Sequence, residues 1–497
     1  MNKKNMLLWL LVATMLAGSA VGCSNDTVEE TDAVDTTVTE TVAEPETTYL
    51  DSLTKVDFNG ASFRSYGANT LNDMAYPTLL QLSTGELNGE GCNDAIYHRS
   101  VYLEEFYNVD FVETISEGNI DANKVIADIS AGDASQDMYY ADLASHGIKL
   151  VLAGTMYPSD MIPGLQLDRP YWSKEMREAL TIGDSFYFPT GSITPRYYGS
   201  AFMLMFNRDI ITDMNLTDPQ ELALEGKWTI DAMFDIAADA YVDLNGSGKV
   251  DQGDQVGFGY GNTTQEALLL GCGYHCIQNK DGKMKLSFDD ENLVTLMQWL
   301  VQQYQQDGIV YQRNTEIDFG AMVDAGQCLF DSPNTFDLVA YRELEYDFGL
   351  VPFPKKDEMQ EEYISYAQPY IVSVPYVPVT NTGDSLSMTG TLMEAMAVYG
   401  YEKVQPVIYD QVIMVKNTRD EASAQIVDKL FENITVELAT LINPAGVWDK
   451  VKANFTTSLG KTEITTVYAE NRAGVENYFA DLEATFAEFR SNLEAGQ

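Results

Sequence analysis

The order of apolar and polar positions divides the chain into an unbroken apolar run from Met6 to Ala17, a polar stretch to about Thr48, and a long body in which two periods alternate. In the body, Ala61 to Tyr66 reads as a strand that enters the polar loop Gly67-Ala68-Asn69-Thr70. Val109 to Thr114 alternates with the period of two of a half-buried strand, and Asp137 to Asp142 reads as another. Helical spacing lies between and beyond these strands. Leu293, Leu296, Met297, Leu300 and Tyr304 share one face, and so do Val475, Tyr478, Phe479, Leu482, Phe486 and Phe489. Strands interleaved with helices predict α/β layers with parallel pairing. A body of about 450 residues is long enough to bury two cores rather than one.

The apolar run follows Lys3 and Lys4 and ends in the small residues Gly18 to Gly22, which is the pattern of an export leader. It is too short to cross roughly 30 Å of hydrocarbon as a helix. Ala20-Val21-Gly22-Cys23 resembles a bacterial lipobox, which implies removal of residues 1–22 and acylation of Cys23. From Ser24 to Thr48 there is no basic and no aromatic residue, so the segment cannot bury enough surface to offset its ordering entropy. Residues 23–49 therefore read as an acidic tether. The expectation is a body on the extracytoplasmic face of the membrane, attached through lipid alone.

A formal charge of −45 argues against nucleic acid, whose phosphates are bound by Lys and Arg, and against electrostatic attachment to anionic lipid. Beyond Cys23 the cysteines are Cys92, Cys272, Cys276 and Cys328, with no legible disulfide framework. Cys272-Gly-Tyr-His275-Cys276 lacks both the CxxC spacing and a second ligand pair, which leaves buried free thiols or a single bridge as the readings.

Several segments, taken in order, resemble the extracellular solute-binding proteins of bacterial ABC sugar importers. They are Asn93-Asp-Ala-Ile-Tyr97-His-Arg99 with Leu103-Glu-Glu-Phe-Tyr107-Asn108-Val109, then Leu204-Met-Phe206-Asn207-Arg208-Asp209 and Gly226-Lys227-Trp228-Thr229. Phe348-Gly-Leu-Val-Pro352-Phe-Pro354-Lys355 and Lys416-Asn-Thr-Arg419-Asp420-Glu421 complete the set. The resemblance implies an α/β, two-lobe periplasmic-binding-protein-like fold with three inter-lobe crossings and a ligand cleft between the lobes. It implies lobe 1 over 50–200 and 330–373, and lobe 2 over 201–329 and 374–497, the C-terminal part being helical. It further implies a monomer that hands a carbohydrate to an ABC transporter permease.

Asp243-Leu-Asn245-Gly-Ser247-Gly248-Lys249-Val-Asp251-Gln-Gly-Asp254 has the spacing of a twelve-residue calcium loop. Oxygen side chains fall at Asp243, Asn245, Ser247, Asp251 and Asp254, Lys249 would offer its carbonyl, and Gly248 permits the turn. Ser247 replaces the usual carboxylate or Asn, and Asp254 is shorter than the usual bidentate Glu. An Asp- and Gly-rich turn that binds nothing is the alternative. A helix capped by Thr229 precedes the loop and a strand follows it, so any bound Ca2+ would be structural.

A sugar site needs flat aromatics against C–H faces and polar groups against hydroxyls. The candidate contacts are Trp172, Tyr197, Tyr198, Trp228 and Trp448 with Asn69, Asp142, Asp331, Ser332 and Asn334, the last three near an expected second crossing. Trp299 is excluded because helical spacing already explains it. No catalytic residue is assigned. The histidines His98, His146 and His275 are scattered, and neither HExxH nor GxSxG occurs. A secreted calcium-binding carbohydrate-active enzyme, or the binding lobe of a sensor or adhesin, are the rival readings.

Overall fold

The structure is a computed structural model, and it describes residues 48–68, 85–116, 118–313, 316–413 and 421–496. The leader, the lipobox cysteine Cys23, the tether up to residue 47, Asn69 and the loop around Lys416 lie outside the described residues. Among the described residues no helix is long and apolar enough to cross a membrane.

The strands run in chain order as β1 (Ala61–Ala68), β2 (Val109–Ser116), β3 (Met138–Asp142), β4 (Leu204–Asn207), β5 (Val256–Tyr260), β6 (Ile277–Lys280) and β7 (Lys283–Leu286). Then come β8 (Ile309–Tyr311), β9 (Cys328–Asp331), β10 (Phe348–Val351), β11 (Ser365–Tyr366), β12 (Ser373–Tyr376) and β13 (Ile434–Thr435). Two sheets organise the two lobes. The first has the order β12-β3-β1-β2, and the second β10-β4-β9-β5-β8.

The predicted strands form, and with the predicted parallel pairing: Ala61 faces Val109 and Phe63 faces Phe111, while Tyr66 also faces Tyr139. On β1, Phe63, Ser65 and Gly67 are buried while Ser62 is exposed, the alternation of a strand with one covered face. Arg64 closes the start of β3. Its guanidinium lies 2.8 Å from Asp137, and its backbone N–H donates to the same carboxylate at 2.7 Å.

Two boundaries differ from the sequence expectation. Phe348–Val351, expected in the first lobe, pairs antiparallel with β4 and so belongs to the second sheet. Ser373–Tyr376, expected at the change into the second lobe, pairs antiparallel with β3 in the first sheet. The helix Gly383–Tyr399 follows it there, with Tyr399 5.3 Å from Tyr102 of the helix Gly91–Tyr107. Short, fully buried strands carry no alternation, so sequence alone could not say which sheet each would join.

The chain leaves the first sheet through Gly199–Met203 and returns through 363–372, where Phe202 N–H donates to Tyr366 O at 2.7 Å. It passes to the second side again before the helix Glu421–Glu432, which packs on β10. Cys328–Asp331 is thus a central strand of the second sheet rather than a crossing. The helix Ile464–Gly496 ends the chain, with Val475, Phe479 and Phe486 buried along its predicted stripe.

Trp228 shows how a functional-looking aromatic became core. It is fully buried, its ring centroid lies 5.7 Å from that of Phe330, and its indole N–H donates to Pro352 O at 2.8 Å. Trp228→Ala is expected to lower the free energy of unfolding by about 3–5 kcal/mol through cavity creation. Urea unfolding measures this, and an unchanged midpoint would contradict the core assignment.

Candidate functional site

Polar side chains gather where strands of each sheet end. At the end of β3, Asp142 accepts from Ser145 N–H at 2.6 Å and pairs with His146 Nδ1 one helical turn on. The same turn is tied to the returning chain, since Leu143 N–H donates to Pro369 O at 3.1 Å and Ala144 N–H to the same oxygen at 3.2 Å. This puts the loop Gln368–Ile371 beside Asp142, and in that loop Tyr370 stands 49% exposed. An exposed aromatic ring between two polar turns is the kind of surface a sugar face can cover.

The second sheet contributes a matching set. Asp331, at the end of β9, accepts from Gln312 Nε2 at 2.8 Å, from Ser332 N–H at 2.7 Å, and from the Tyr341 hydroxyl. Burial pushes the Asp331 carboxyl above its ordinary range, and the Tyr341 hydroxyl and the Ser332 amide oppose that shift. The Tyr311 hydroxyl donates to Asn262 Oδ1 close by, and Thr264 Oγ1 lies 3.4 Å from Ser332 Oγ. Asn334 and Asp337 cap one another's amides at 3.1 Å each.

One crossing holds both sets together. Ser200 O accepts from Gln368 N–H at 3.3 Å and Ala201 O accepts from Thr335 N–H at 2.9 Å. The loop beside the end of β3 and the chain just beyond β9 are therefore each bonded to Gly199–Met203.

Of the predicted contacts, Asp142, Asp331, Ser332 and Asn334 lie at these strand ends, and Asn69 lies outside the described residues. The five predicted aromatics do not join them. Trp172 is buried and donates its indole N–H to Glu394 at 3.0 Å, tying its loop to the helix Gly383–Tyr399. The Tyr197 hydroxyl bonds Ser173 Oγ at 3.0 Å and the Tyr198 hydroxyl lies 2.7 Å from Ser192 Oγ, both inside the core. Trp228 is core, and Trp448 is buried with Phe288 6.4 Å away and Lys452 over its face. Large rings bury so much area that packing claims them first. Sequence reasoning missed Tyr370, His146, Gln312 and Asn262. Only their positions just beyond strands could have signalled them, and two of those strands were not read.

In the loop Asp243–Asp254, Gly246 and Gly248 take positive φ. The loop's oxygens are turned on its own backbone. Asp243 accepts from the amides of Gly246, Ser247 and Gly248 at 2.7, 3.1 and 2.8 Å. Asn245 bonds Asp251 at 2.7 Å, Ser247 Oγ donates to the Lys249 carbonyl at 2.9 Å, and buried Asp254 accepts from Leu244 and Asp251 amides. Among the described residues no group of three His, Cys, Asp or Glu side chains stands close enough to hold a metal ion, so the donor set is not gathered in this conformation. Cys92, Cys272, Cys276 and Cys328 are buried free thiols, and the bridge between Cys272 and Cys276 is not formed.

No family model matches the chain, and no curated protein matches it in sequence. Solved structures match it in fold. A sugar transporter from Rhizobium etli in an open conformation has a TM-score of 0.57 at 14% identity, covering 84% of this chain and 99% of that one. UspC of M. tuberculosis has a TM-score of 0.54 at 13% identity, covering 84% and 99%. MalE of Listeria monocytogenes, solved in complex with maltose, has a TM-score of 0.52 at 12% identity, covering 85% and 98%. The chain has a two-lobe periplasmic-binding-protein-like fold. At these identities the likeness is one of architecture, and the sheet-end clusters are read on their own chemistry.

In this periplasmic-binding-protein-like frame a buried acid sits beside the strands that join the lobes. Just after β13, Glu437 accepts from Cys276, Ile277 and Ala439 amides at 2.8, 3.2 and 2.8 Å. Burial outweighs those donors and pushes its carboxyl up to about 7. A folded-state value above the unfolded one means that the stability Glu437 contributes is fully present below about pH 4.5 and is lost as pH rises through about 7. Glu437→Gln is expected to remove that dependence. The urea midpoint of the parent relative to the variant should then be highest at acid pH and fall between pH 4.5 and 7; a difference that is flat with pH would refute the shift.

Proposed function

We propose that this chain is an extracytoplasmic solute-binding protein that captures a carbohydrate between its lobes and delivers it to an ABC transporter permease. The observation that carries this is the two-lobe fold held in common with proteins described as a sugar transporter, as MalE with maltose, and as a cyclo/maltodextrin-binding protein with maltotetraose. The sheet-end clusters support it. Asp142, Asp331, Gln312 and Asn262 offer acceptors and donors suited to hydroxyls, and Tyr370 offers a flat face. Ligand that contacts both lobes favours their closure by differential affinity. An oligosaccharide cargo and a monomeric state belong to this reading, and so does attachment through an acylated Cys23, which the leader and tether residues support. The absence from the sequence of HExxH and GxSxG supports capture over catalysis.

A thermal-shift screen of the purified protein against maltose, maltotriose and other sugars tests the reading, because a ligand that binds only the folded form raises Tm by mass action. A rise without turnover of the sugar is expected. Turnover would favour the carbohydrate-active enzyme instead, and silence across the panel would end the carbohydrate assignment. With a sugar in hand, Tyr370→Ala is expected to weaken binding about five-fold, the loss of an aromatic contact of about 1 kcal/mol. Isothermal titration measures it, and an unchanged Kd would remove Tyr370 from the site.

We also propose a structural Ca2+ for the loop Asp243–Asp254, supported by its spacing alone. Asp243, Asn245, Ser247, the Lys249 carbonyl, Asp251 and Asp254 would hold it once their bonds to the loop backbone rearrange. Millimolar calcium is then expected to raise the Tm of the parent and not that of Asp243→Ala. No calcium-dependent rise in the parent would leave the loop as a hydrogen-bonded turn.

A further inference from the structure

Besides the crossings, two elements of the second lobe reach the first. One is the hairpin β6–β7. Its turn, with Asp281 and Gly282 at positive φ, lies against the turn Ile182–Ser185 of the first lobe. Asn279 Nδ2 donates to Thr181 O at 3.0 Å and to Gly183 O at 2.8 Å. The approach is tight, since a Cβ on Gly282 would meet Asp184 Oδ1 at 2.4 Å. Thr181–Ser185 belongs with the first sheet, because the same stretch of chain pairs Met156 with Pro378 just beyond β12 and sets Phe188 6.1 Å from Tyr376.

The other is the C-terminal helix Ile464–Gly496, about 50 Å long at 1.5 Å per residue. Its first half packs on the second lobe, where Tyr468 lies 6.2 Å from Phe288. At Glu483 it grips the hairpin, accepting from Met284 N–H at 2.7 Å and from Lys283 Nζ at 2.8 Å. Its last turns lie on the first lobe. Phe486 is 5.1 Å from Tyr187, a Cβ on Gly154 would lie 3.5 Å from the Phe489 ring, and Arg490 pairs with Asp160 at 2.7 Å.

This second connection is discrete rather than a continuous interface. A cavity of about 510 Å3, lined by Glu175, Gln278, Glu362, Asn433 and Thr435 among others, opens between the hairpin, the helix Lys174–Leu180, β11 and β13. The hairpin therefore reaches the first lobe along β6 and at its tip, and the C-terminal helix reaches it at its end.

We infer that the hairpin β6–β7 and the C-terminal helix form a latch that holds the two lobes at one angle. The inference rests on the contacts and on the two-lobe fold; the capture reading enters only in its consequence, that a closing solute must work within or against the latch. Hinge motion confined to the crossings would leave the contacts of Asn279 and Arg490 in place only if the lobes stay at this angle. Opening replaces four contacts, Asn279 with two carbonyls, Gly282 with Asp184, Arg490 with Asp160 and Phe486 with Tyr187, by water.

The test needs no ligand, so it fails or succeeds apart from the sugar screen. In a Cys23→Ser background, Glu105→Cys and Asp213→Cys place spin labels on exposed positions of the helices Gly91–Tyr107 and Arg208–Met214, while the native thiols are buried. Double electron–electron resonance then reads the inter-lobe distance. A single narrow distribution is expected in the labelled parent. In the triple variant Asn279→Ala, Glu483→Ala, Arg490→Ala, a second population or a distribution at least twice as wide is expected. The single variant Arg490→Ala, and the parent in 1 M salt, which screens the half-exposed Arg490–Asp160 pair, should broaden in the same direction and carry the test if the triple variant fails to fold. Two populations in the parent, or variants that all match it, overturn the latch.

Discussion

The short crossing Gly199–Met203 is the constraint on which the rest of the architecture depends. Every residue from Gly191 to Asn207 is buried, and buried backbone polar groups have to be satisfied. Here they are satisfied from both sides. Gln368 and Thr335 donate to Ser200 and Ala201, while Phe202 and Met203 donate to Tyr366 at 2.7 Å and Pro333 at 3.0 Å. This fixes the register between two sheets that share no strand. Gly199 allows the approach, because a Cβ there would stand 2.1 Å from the Phe336 ring. The loop that follows β11 and the chain just beyond β9 are each tied to this crossing through Gln368 and Thr335 as a result of that register.

A chain with 75 acids and 30 Lys and Arg cannot pair its carboxylates with cations, and its interior shows the alternative. Glu394 is held by the Tyr171 hydroxyl at 2.5 Å, by the Trp172 indole and by Gln166 N–H. Glu437 takes three backbone amides, and Asp331 takes an amide, a carboxamide and a phenol. Glu266 alone of these has a cation, Lys452, at 3.2 Å. Neutral donors leave most of the desolvation cost in place, which is why burial raises Glu437 and Asp331 even though both are hydrogen-bonded. Tyr171 and Tyr341 serve this network directly.

The fold class was legible because its signals are local: alternation on β1 and β2, and helical stripes at Leu293–Tyr304 and along Ile464–Gly496. The lobe boundaries were not, because β10 and β12 are buried on both faces and carry no period that names their partner. Of the predicted contacts, Asp142, Asp331, Ser332 and Asn334 lie at strand ends, whereas the predicted aromatics lie in the core. Position beyond a strand predicts where an Asp or Asn will sit, whereas a tryptophan or tyrosine in a loop is drawn into the nearest core unless something holds it out. Tyr370 is held out because Pro369 O accepts from both Leu143 and Ala144, which pins the loop by its backbone and leaves the ring no path inward.

These features bear on how closure can be driven. A ligand moves a two-state equilibrium only by its differential affinity, and taking it from 1:99 to 99:1 requires about 5.5 kcal/mol. Each lobe presents its polar set already bonded to its own neighbours: Asp142 to Ser145 and His146, Asp331 to Gln312, Ser332 and Tyr341. A solute therefore gains little by hydrogen-bonding to one lobe, because it displaces bonds that already exist. On the capture reading proposed above, the net gain has to come from burial of apolar faces and from contacts that exist only when both lobes are engaged.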